Sequence, residues 1–152
     1  MKKKIILSIL SIILLTSCGF QPTFSSKDVN FAISKIEVKD KSNISRKIKN
    51  NLKIYKNVKN PNNIYSLKIN STRQINIVSK DKKGNPSNFE MNITTEITIF
   101  EKLQLLKSKN FTESFNYENS SNKFDLKQYE KNIENNLTSK IIENITLYLY
   151  AK

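Results

Sequence analysis

The chain lacks several residue types on which enzymes most often depend. Its 152 residues include no histidine, no tryptophan and a single cysteine. Histidine is the usual general base at neutral pH and the commonest metal ligand, so a Ser-His-Asp triad, a Cys-His pair and a conventional zinc site are excluded. Two glycines are too few for a glycine-rich phosphate loop, and no pair of acidic residues stands out. We expect a protein without catalytic activity, cofactor or metal.

Acidic residues are also scarce relative to basic ones. There are 13 Asp and Glu residues against 26 Lys and Arg residues, which gives a net charge of +13. The 24 Lys, 21 Asn and 21 Ile residues all have AT-rich codons, so part of this charge is attributable to genome composition. A small basic domain can indicate a nucleic-acid-binding module. The dispersed lysines and the signal sequence described next argue against a nucleic-acid partner.

The first 17 residues have the pattern of a bacterial export signal. Three lysines at 2–4 precede the apolar run Ile5 to Leu15. A helix of 11 residues covers roughly 17 Å, short of the roughly 30 Å hydrocarbon core of a bilayer. The run therefore indicates a signal peptide rather than a membrane span. It ends in Leu-Thr-Ser-Cys, the pattern of a lipobox.

Cys18 is the predicted lipid-attachment site. The alternative is an ordinary signal followed by an incidental buried cysteine, but an unpaired thiol is a liability in an oxidising periplasm. Acylation by more than one chain gives durable anchoring. Gly19, rather than the Asp that commonly retains lipoproteins in the inner membrane, favours the outer membrane, facing the periplasm. We expect a lipidated tether over 18–28 and one domain over 29–152.

Hydrophobic periodicity predicts the element order β-α-β-β-β-α. A strand at 31–38 has apolar residues on both faces, which predicts an inner strand or one covered on both sides. It is followed by a helix capped by Ser42 or Asn43 and then by long strands at about 64–78 and 88–105, whose odd-numbered apolar residues predict one buried face. A third strand of the sheet follows 107–109, and a final helix begins at a capping box that starts at Asp125. The fold class is α+β. We expect a two-layer sandwich with a four-stranded, mostly antiparallel sheet, two helices on one face and the other face polar.

The residues that begin the mature chain carry a family resemblance. The run Cys-Gly-Phe-Gln-Pro-Thr-Phe at 18–24, followed by this element order, resembles LptE, the lipopolysaccharide (LPS) assembly lipoprotein. Thr23 departs from the Leu of the family's opening, and Phe24 replaces its Tyr. The resemblance implies an outer-membrane lipoprotein that plugs the β-barrel of LptD, helps to assemble it and assists LPS insertion into the outer leaflet. The alternative is a lipoprotein adaptor of another envelope complex.

Five basic residues are candidates for LPS contact on this interpretation: Lys80, Lys82 and Lys83 in the predicted hairpin loop, and Lys68 and Arg73 on or near the adjoining strand. Lysine attracts phosphate as a point charge, whereas arginine binds it bidentately. The alternative is a solvated basic loop in a lysine-rich chain. Phe20, Pro22 and Phe24 lie in the tether and are candidates for contact with the barrel or lipid. Phe89, Phe111, Phe115 and Tyr117 are expected in the core.

Overall fold

The computed structural model describes residues 29–102 and 104–151. The elements follow one another as β1 (Phe31–Val38), α1 (Asn43–Leu52), a short 3-10 helix (Lys53–Asn57), β2 (Asn63–Lys80), β3 (Pro86–Glu101), β4 (Gln104–Glu118) and α2 (Lys123–Tyr150). The strands form one sheet in the order β1-β2-β3-β4. The β1–β2 pair is parallel and the other two pairs are antiparallel. The predicted element order and fold class are confirmed.

The core lies between the sheet and the two helices. On β2 and β3 the odd-numbered positions face it, as the alternating pattern predicts, and Leu67, Ile69 and Ile97 are fully buried there. From α1 and α2, Ile48 and Ile141 are the opposing fully buried side chains. The opposite face of the sheet carries the even-numbered positions of β2 and β3, and neither α1 nor α2 covers it. The sandwich therefore has one polar face open to solvent or a partner.

The position of β1 in the sheet differs from expectation. Apolar residues at both odd and even positions predicted an inner strand or one covered on both faces, but β1 lies at an edge of the sheet. A bulge between Ile33 and Lys35 shifts the register, so Ile36 returns to the face that already holds Phe31 and Ile33. An extra residue in a strand reverses the alternation downstream of it. The two-sided pattern thus reflects one buried face and a bulge.

The boundaries of β3 and β4 also differ from expectation. The predicted strand ran on to about 105 and the predicted turn fell at 107–109, whereas the structure places Lys102 in a turn with φ +46°. Asn and Gly are the usual residues at positive φ. Since neither occurs here, the sequence does not indicate a turn at this position. Lys107 and Lys109 instead lie within β4, where lysines on an edge strand oppose edge-to-edge association.

The final helix begins earlier than the capping pattern indicated. Its N-cap is Asn122, whose side chain accepts hydrogen bonds from the backbone N–H groups of Phe124 and Asp125. Asp125 is the third helical residue, and its carboxylate accepts a hydrogen bond from Asn122 Nδ2 at 2.6 Å. The pair caps the helix reciprocally, three residues before the expected start. Within the described residues, no helix is long and apolar enough to cross a membrane.

Candidate functional site

A polar network fixes the sheet to α1 near the middle of β2. The Asp40 carboxylate accepts hydrogen bonds from Ser45 Oγ at 2.6 Å and from the Ser71 backbone N–H at 2.8 Å. Ser71 Oγ lies 2.8 Å from Ser45 Oγ and 2.9 Å from Thr95 Oγ1. Burial alone would raise the pKa of Asp40, but these hydrogen bonds and those from Ser42 hold that pKa below its usual value. The network joins the turn after β1 to β2 and β3.

Beyond this network, β1 no longer runs alongside β2. β1 ends at Val38 opposite Ile69, so among the described strands β3 alone pairs with the second half of β2. Ile75 and Ile77, which belong to the helix-facing positions, are 38% and 52% exposed. The expectation that the whole odd-numbered face is buried is therefore wrong for this half. Phe115 is exposed as well, whereas Phe111 and Tyr117 are buried.

The loop between β2 and β3 is built around Asp81. One carboxylate oxygen accepts hydrogen bonds from the backbone N–H groups of Lys83 at 2.8 Å and Asn85 at 2.9 Å. The bonds from Asn85, with those from Lys83 and Gly84, hold the pKa of Asp81 below its usual value. Gly84 takes φ +84°, a conformation that favours glycine. The loop is a defined turn that presents Lys82 and Lys83 to solvent.

A second loop lies beside this turn. Asn119 donates from its backbone N–H to the Ser87 carbonyl and from Nδ2 to the Pro86 carbonyl, each at 2.8 Å. The β2–β3 and β4–α2 loops together line a polar depression that includes Asp81, Ser120 and Lys123. We call this end of the sandwich the hairpin tip, comprising residues 80–87 and 118–123. The sequence indicated both loops as polar, but only the β3–β4 register brings them together.

The five predicted LPS-contact residues do not form one site. Lys80, Lys82 and Lys83 lie at the hairpin tip and are exposed. Lys68 lies on the open face, 12 residues back along β2, which corresponds to about 40 Å. Its ammonium is 4.8 Å from the centre of the Phe100 ring and 4.0 Å from a Glu37 carboxylate oxygen. Only the three tip lysines are therefore close enough to act together.

Arg73 has a different environment from the other four candidates. It lies on the helix-facing side of β2, where its guanidinium contacts Glu130 at 3.5 Å and Glu134 at 3.2 Å. Glu130 also accepts a hydrogen bond from the Tyr117 hydroxyl at 2.8 Å. Burial, and then the contact with Glu130, raise the pKa of Tyr117. Arg73 thus links β2 to α2, and its charge is already compensated.

The open face of the sheet is polar but carries little charge. Between Asn70 and Asn76 on β2 and between Ser108 and Asn116 on β4, every outward position holds an amide or hydroxyl side chain. Two of these hydroxyls bond across strands, Thr112 to Thr94 at 3.0 Å and Ser108 to Thr98 at 3.1 Å. The charges on this central surface are the acids at 90 and 96 on β3. The lysines are concentrated towards the ends of the sheet.

The predicted anchor and tether residues lie outside the described residues. These are Cys18, Phe20, Pro22 and Phe24. Within 29–102 and 104–151, no group of three or more acidic, histidine or cysteine side chains could hold a metal ion. The described part of the chain has two candidate interaction surfaces, a polar sheet face with few charges and a basic hairpin tip.

Comparison with solved structures identifies the fold. The chain is similar to a minor lipoprotein from Acinetobacter baumannii (TM-score 0.62, 15% identity, 81% of this chain and 92% of that one). It is also similar to an uncharacterized lipoprotein B from Nitrosomonas europaea (TM-score 0.60, 13% identity, 88% and 91%). The rare lipoprotein B from Shewanella oneidensis gives a TM-score of 0.56 at 12% identity over 78% and 94%. No family model matches the chain, and no curated protein matches it in sequence. The chain therefore has a fold found in bacterial lipoproteins.

Proposed function

We propose that the protein is an outer-membrane lipoprotein of the LptE type, anchored by acylated Cys18 on the periplasmic side. It occupies and helps to assemble an LptD-like β-barrel and assists LPS insertion into the outer leaflet. The role is structural rather than catalytic and requires no cofactor. One observation carries the proposal: the lipobox and its Cys-Gly-Phe-Gln-Pro run directly precede a domain whose fold occurs in bacterial lipoproteins.

The open sheet face supports a position inside a barrel. The lumen of an outer-membrane barrel is polar, so a plug needs a polar surface that avoids burying unpaired charge. The amide and hydroxyl side chains between Asn70 and Asn76 and between Ser108 and Asn116 meet this requirement on β2 and β4, and the acids at 90 and 96 on β3 would need partners on the barrel wall. Such groups exchange hydrogen bonds with water for hydrogen bonds with a polar wall at little net cost.

The hairpin tip supports contact with LPS. Lipid A phosphates are anionic, and Lys80, Lys82 and Lys83 are exposed around a turn that Asp81 holds in shape. Lysines attract phosphate as point charges whose effect salt weakens. Since Lys68 and Arg73 lie elsewhere and have their own partners, we assign the LPS contact to the three tip lysines alone.

Purification of the tagged, acylated protein in mild detergent tests the proposed partner. We expect a large β-barrel protein to copurify in a 1:1 ratio. A Cys18→Ala chain should be lost from the membrane fraction unless the barrel itself retains it. A different partner would indicate an adaptor of another envelope complex, and the absence of any partner would contradict the plug role.

Binding of purified LPS tests the tip assignment separately. The Lys80→Glu/Lys82→Glu/Lys83→Glu variant should fold normally and lose LPS binding. A matched variant reverses three exposed lysines on α2, Lys127, Lys131 and Lys140, with the same change in net charge. It should retain binding, and equal losses in both variants would show that net charge alone is responsible.

A further inference from the structure

The end of the sandwich opposite the hairpin tip exposes apolar side chains. Leu105 is 64% exposed, Leu106 45% and Ile64 54%. Leu105 pairs with Phe100 across the β3–β4 ladder, and Ser66, two residues from Ile64, pairs with Phe100 on its other side. Residues two apart in a strand share a face, so Ile64 and Leu105 flank Phe100 on the open face. We call Ile64, Phe100, Leu105 and Leu106 the anchor-side patch.

The tether joins the domain at this same end. β1 begins at Phe31 opposite Asn63, and the Asn30 carbonyl accepts a hydrogen bond from the Asn62 backbone N–H at 2.7 Å. Ala32 pairs with Ile64, so the chain leaves the domain within a few residues of the patch. The 11 residues from Cys18 to Asp28 span at most about 40 Å when fully extended. If Cys18 is acylated, the patch stays within that distance of the bilayer.

The charges at this end complement an anionic surface. Lys102 and Lys107 lie on either side of the two leucines in the chain, and both are exposed. The 3-10 helix belongs to the same end, because the Tyr55 ring lies 5.1 Å from the Phe31 ring. This helix and the loop after it add Lys53, Lys56 and Lys59, all exposed. Glu101 is the acidic residue of the adjacent turn, while Glu37, further along the open face, is compensated by Lys35 and Lys68.

We propose that the anchor-side patch docks on the surface of a bilayer that carries anionic phospholipid headgroups. The leucines and isoleucine enter the interface, and the surrounding lysines attract the headgroups. This combination of exposed apolar side chains and basic rim is typical of interfacial membrane binding. The inference deepens the proposed function by holding the anchored end of the domain at the periplasmic leaflet, from which the hairpin tip, at the opposite end of the sandwich, extends into the barrel. The inference rests on the proposed anchoring through Cys18, which keeps the patch close to the bilayer.

Vesicle flotation of the unacylated mature chain, residues 19–152, tests the docking surface. This chain contains all the buried core residues of the part that the structure describes, from Phe31 to Leu149. We expect it to float with vesicles of equal parts phosphatidylglycerol and phosphatidylethanolamine, and to bind phosphatidylcholine vesicles at least about tenfold more weakly. Equal binding to both kinds of vesicle, or no binding to either, would overturn the proposal.

Two pairs of matched variants locate the contact. Leu105→Ser/Leu106→Ser should weaken binding by about tenfold or more, whereas Ile75→Ser/Ile77→Ser, which removes two exposed isoleucines near the other end, should leave it unchanged. Lys102→Gln/Lys107→Gln should weaken binding by about fivefold per lysine and reduce its salt dependence. Lys127→Gln/Lys131→Gln removes the same charge from two exposed positions of α2 and should have little effect. Circular dichroism confirms that each variant is folded.

The outcomes separate this inference from the proposed function. Vesicle binding that survives Leu105→Ser/Leu106→Ser would show that the patch is not the membrane contact. If the wild-type chain does not bind vesicles, and this double variant loses the copurifying barrel, the patch is a protein interface and the proposal is overturned. Patch-dependent vesicle binding without any copurifying barrel would retain the docking surface and contradict the barrel-plug role.

Discussion

The two halves of β2 have the same alternating pattern but differ in how far their apolar side chains are buried. In the first half, Tyr65, Leu67 and Ile69 are buried because β1 pairs alongside them and the helices cover that face. In the second half, Ile75 and Ile77 continue the pattern but are exposed, since β1 has ended opposite Ile69. Alternation therefore specifies which side chains share a face, and the neighbouring elements decide whether that face is buried. We therefore expect the first half to contribute more to stability than the second.

The largest difference between the halves should appear on truncation of a core side chain. Ile69→Ala removes a fully buried side chain and should lower the free energy of unfolding by about 2–5 kcal/mol. Ile77→Ala, at a half-exposed position of the same strand, should cost less than about 1 kcal/mol. Urea denaturation of the two variants measures both values. Similar losses would contradict the division of the strand into a buried and an exposed half.

Replacement of Asp40 should have the next largest effect. Asp40→Ala leaves the backbone N–H groups of Ser42 and Ser71 without their acceptor, which should cost about 2 kcal/mol. Asp81 accepts a similar set of bonds at the exposed tip, so Asp81→Ala is the matched control and should cost less. If thermal unfolding ranks the two variants in the reverse order, the Asp40 network does not stabilise the junction between β1 and β2.

The stability contributed by Asp40 should depend on pH. Because the pKa of Asp40 is lower in the folded protein than its ordinary value of 3.8, the unfolded chain takes up its proton first as the pH falls. This contribution is complete above that value and is lost progressively below it. The difference in unfolding free energy between the wild type and Asp40→Asn should therefore be constant near neutrality and shrink below about pH 4. A difference that persists unchanged to lower pH would argue against an ionised Asp40 in the network.

Loss of the Arg73 contacts should have a smaller effect. Arg73→Ala removes ion pairs with Glu130 and Glu134 that are partly exposed, so a loss of about 1 kcal/mol or less is expected. Lys127→Ala, at an exposed position of α2, is the control and should have no measurable effect. If the Arg73 variant matches this control in urea denaturation, the link between β2 and α2 makes no contribution to stability.

The sequence predicts the architecture better than it predicts the boundaries and surfaces. Periodicities of two and of three to four residues locate the sheet and both helices, because burial of one face imposes them. The bulge after Ile33 and the turn at Lys102 contain no glycine or asparagine, so the sequence does not predict either of them. The grouping of the three tip lysines can be predicted, because they are close together in the sequence and lie in one loop. The roles of Lys68 and Arg73 depend on partners 31 and 57 or more residues away along the chain, which no local pattern contains.

Site-specific photo-crosslinking in the intact cell envelope tests the central claim most directly. A photoreactive amino acid at Ser114, an exposed outward position of β4 opposite Asn92, samples whatever lies against the open sheet face. If the domain occupies a barrel, irradiation should give one dominant protein adduct, and mass spectrometry should identify its partner as a large outer-membrane β-barrel. An adduct with a different class of protein, or no protein adduct at all, would contradict the account.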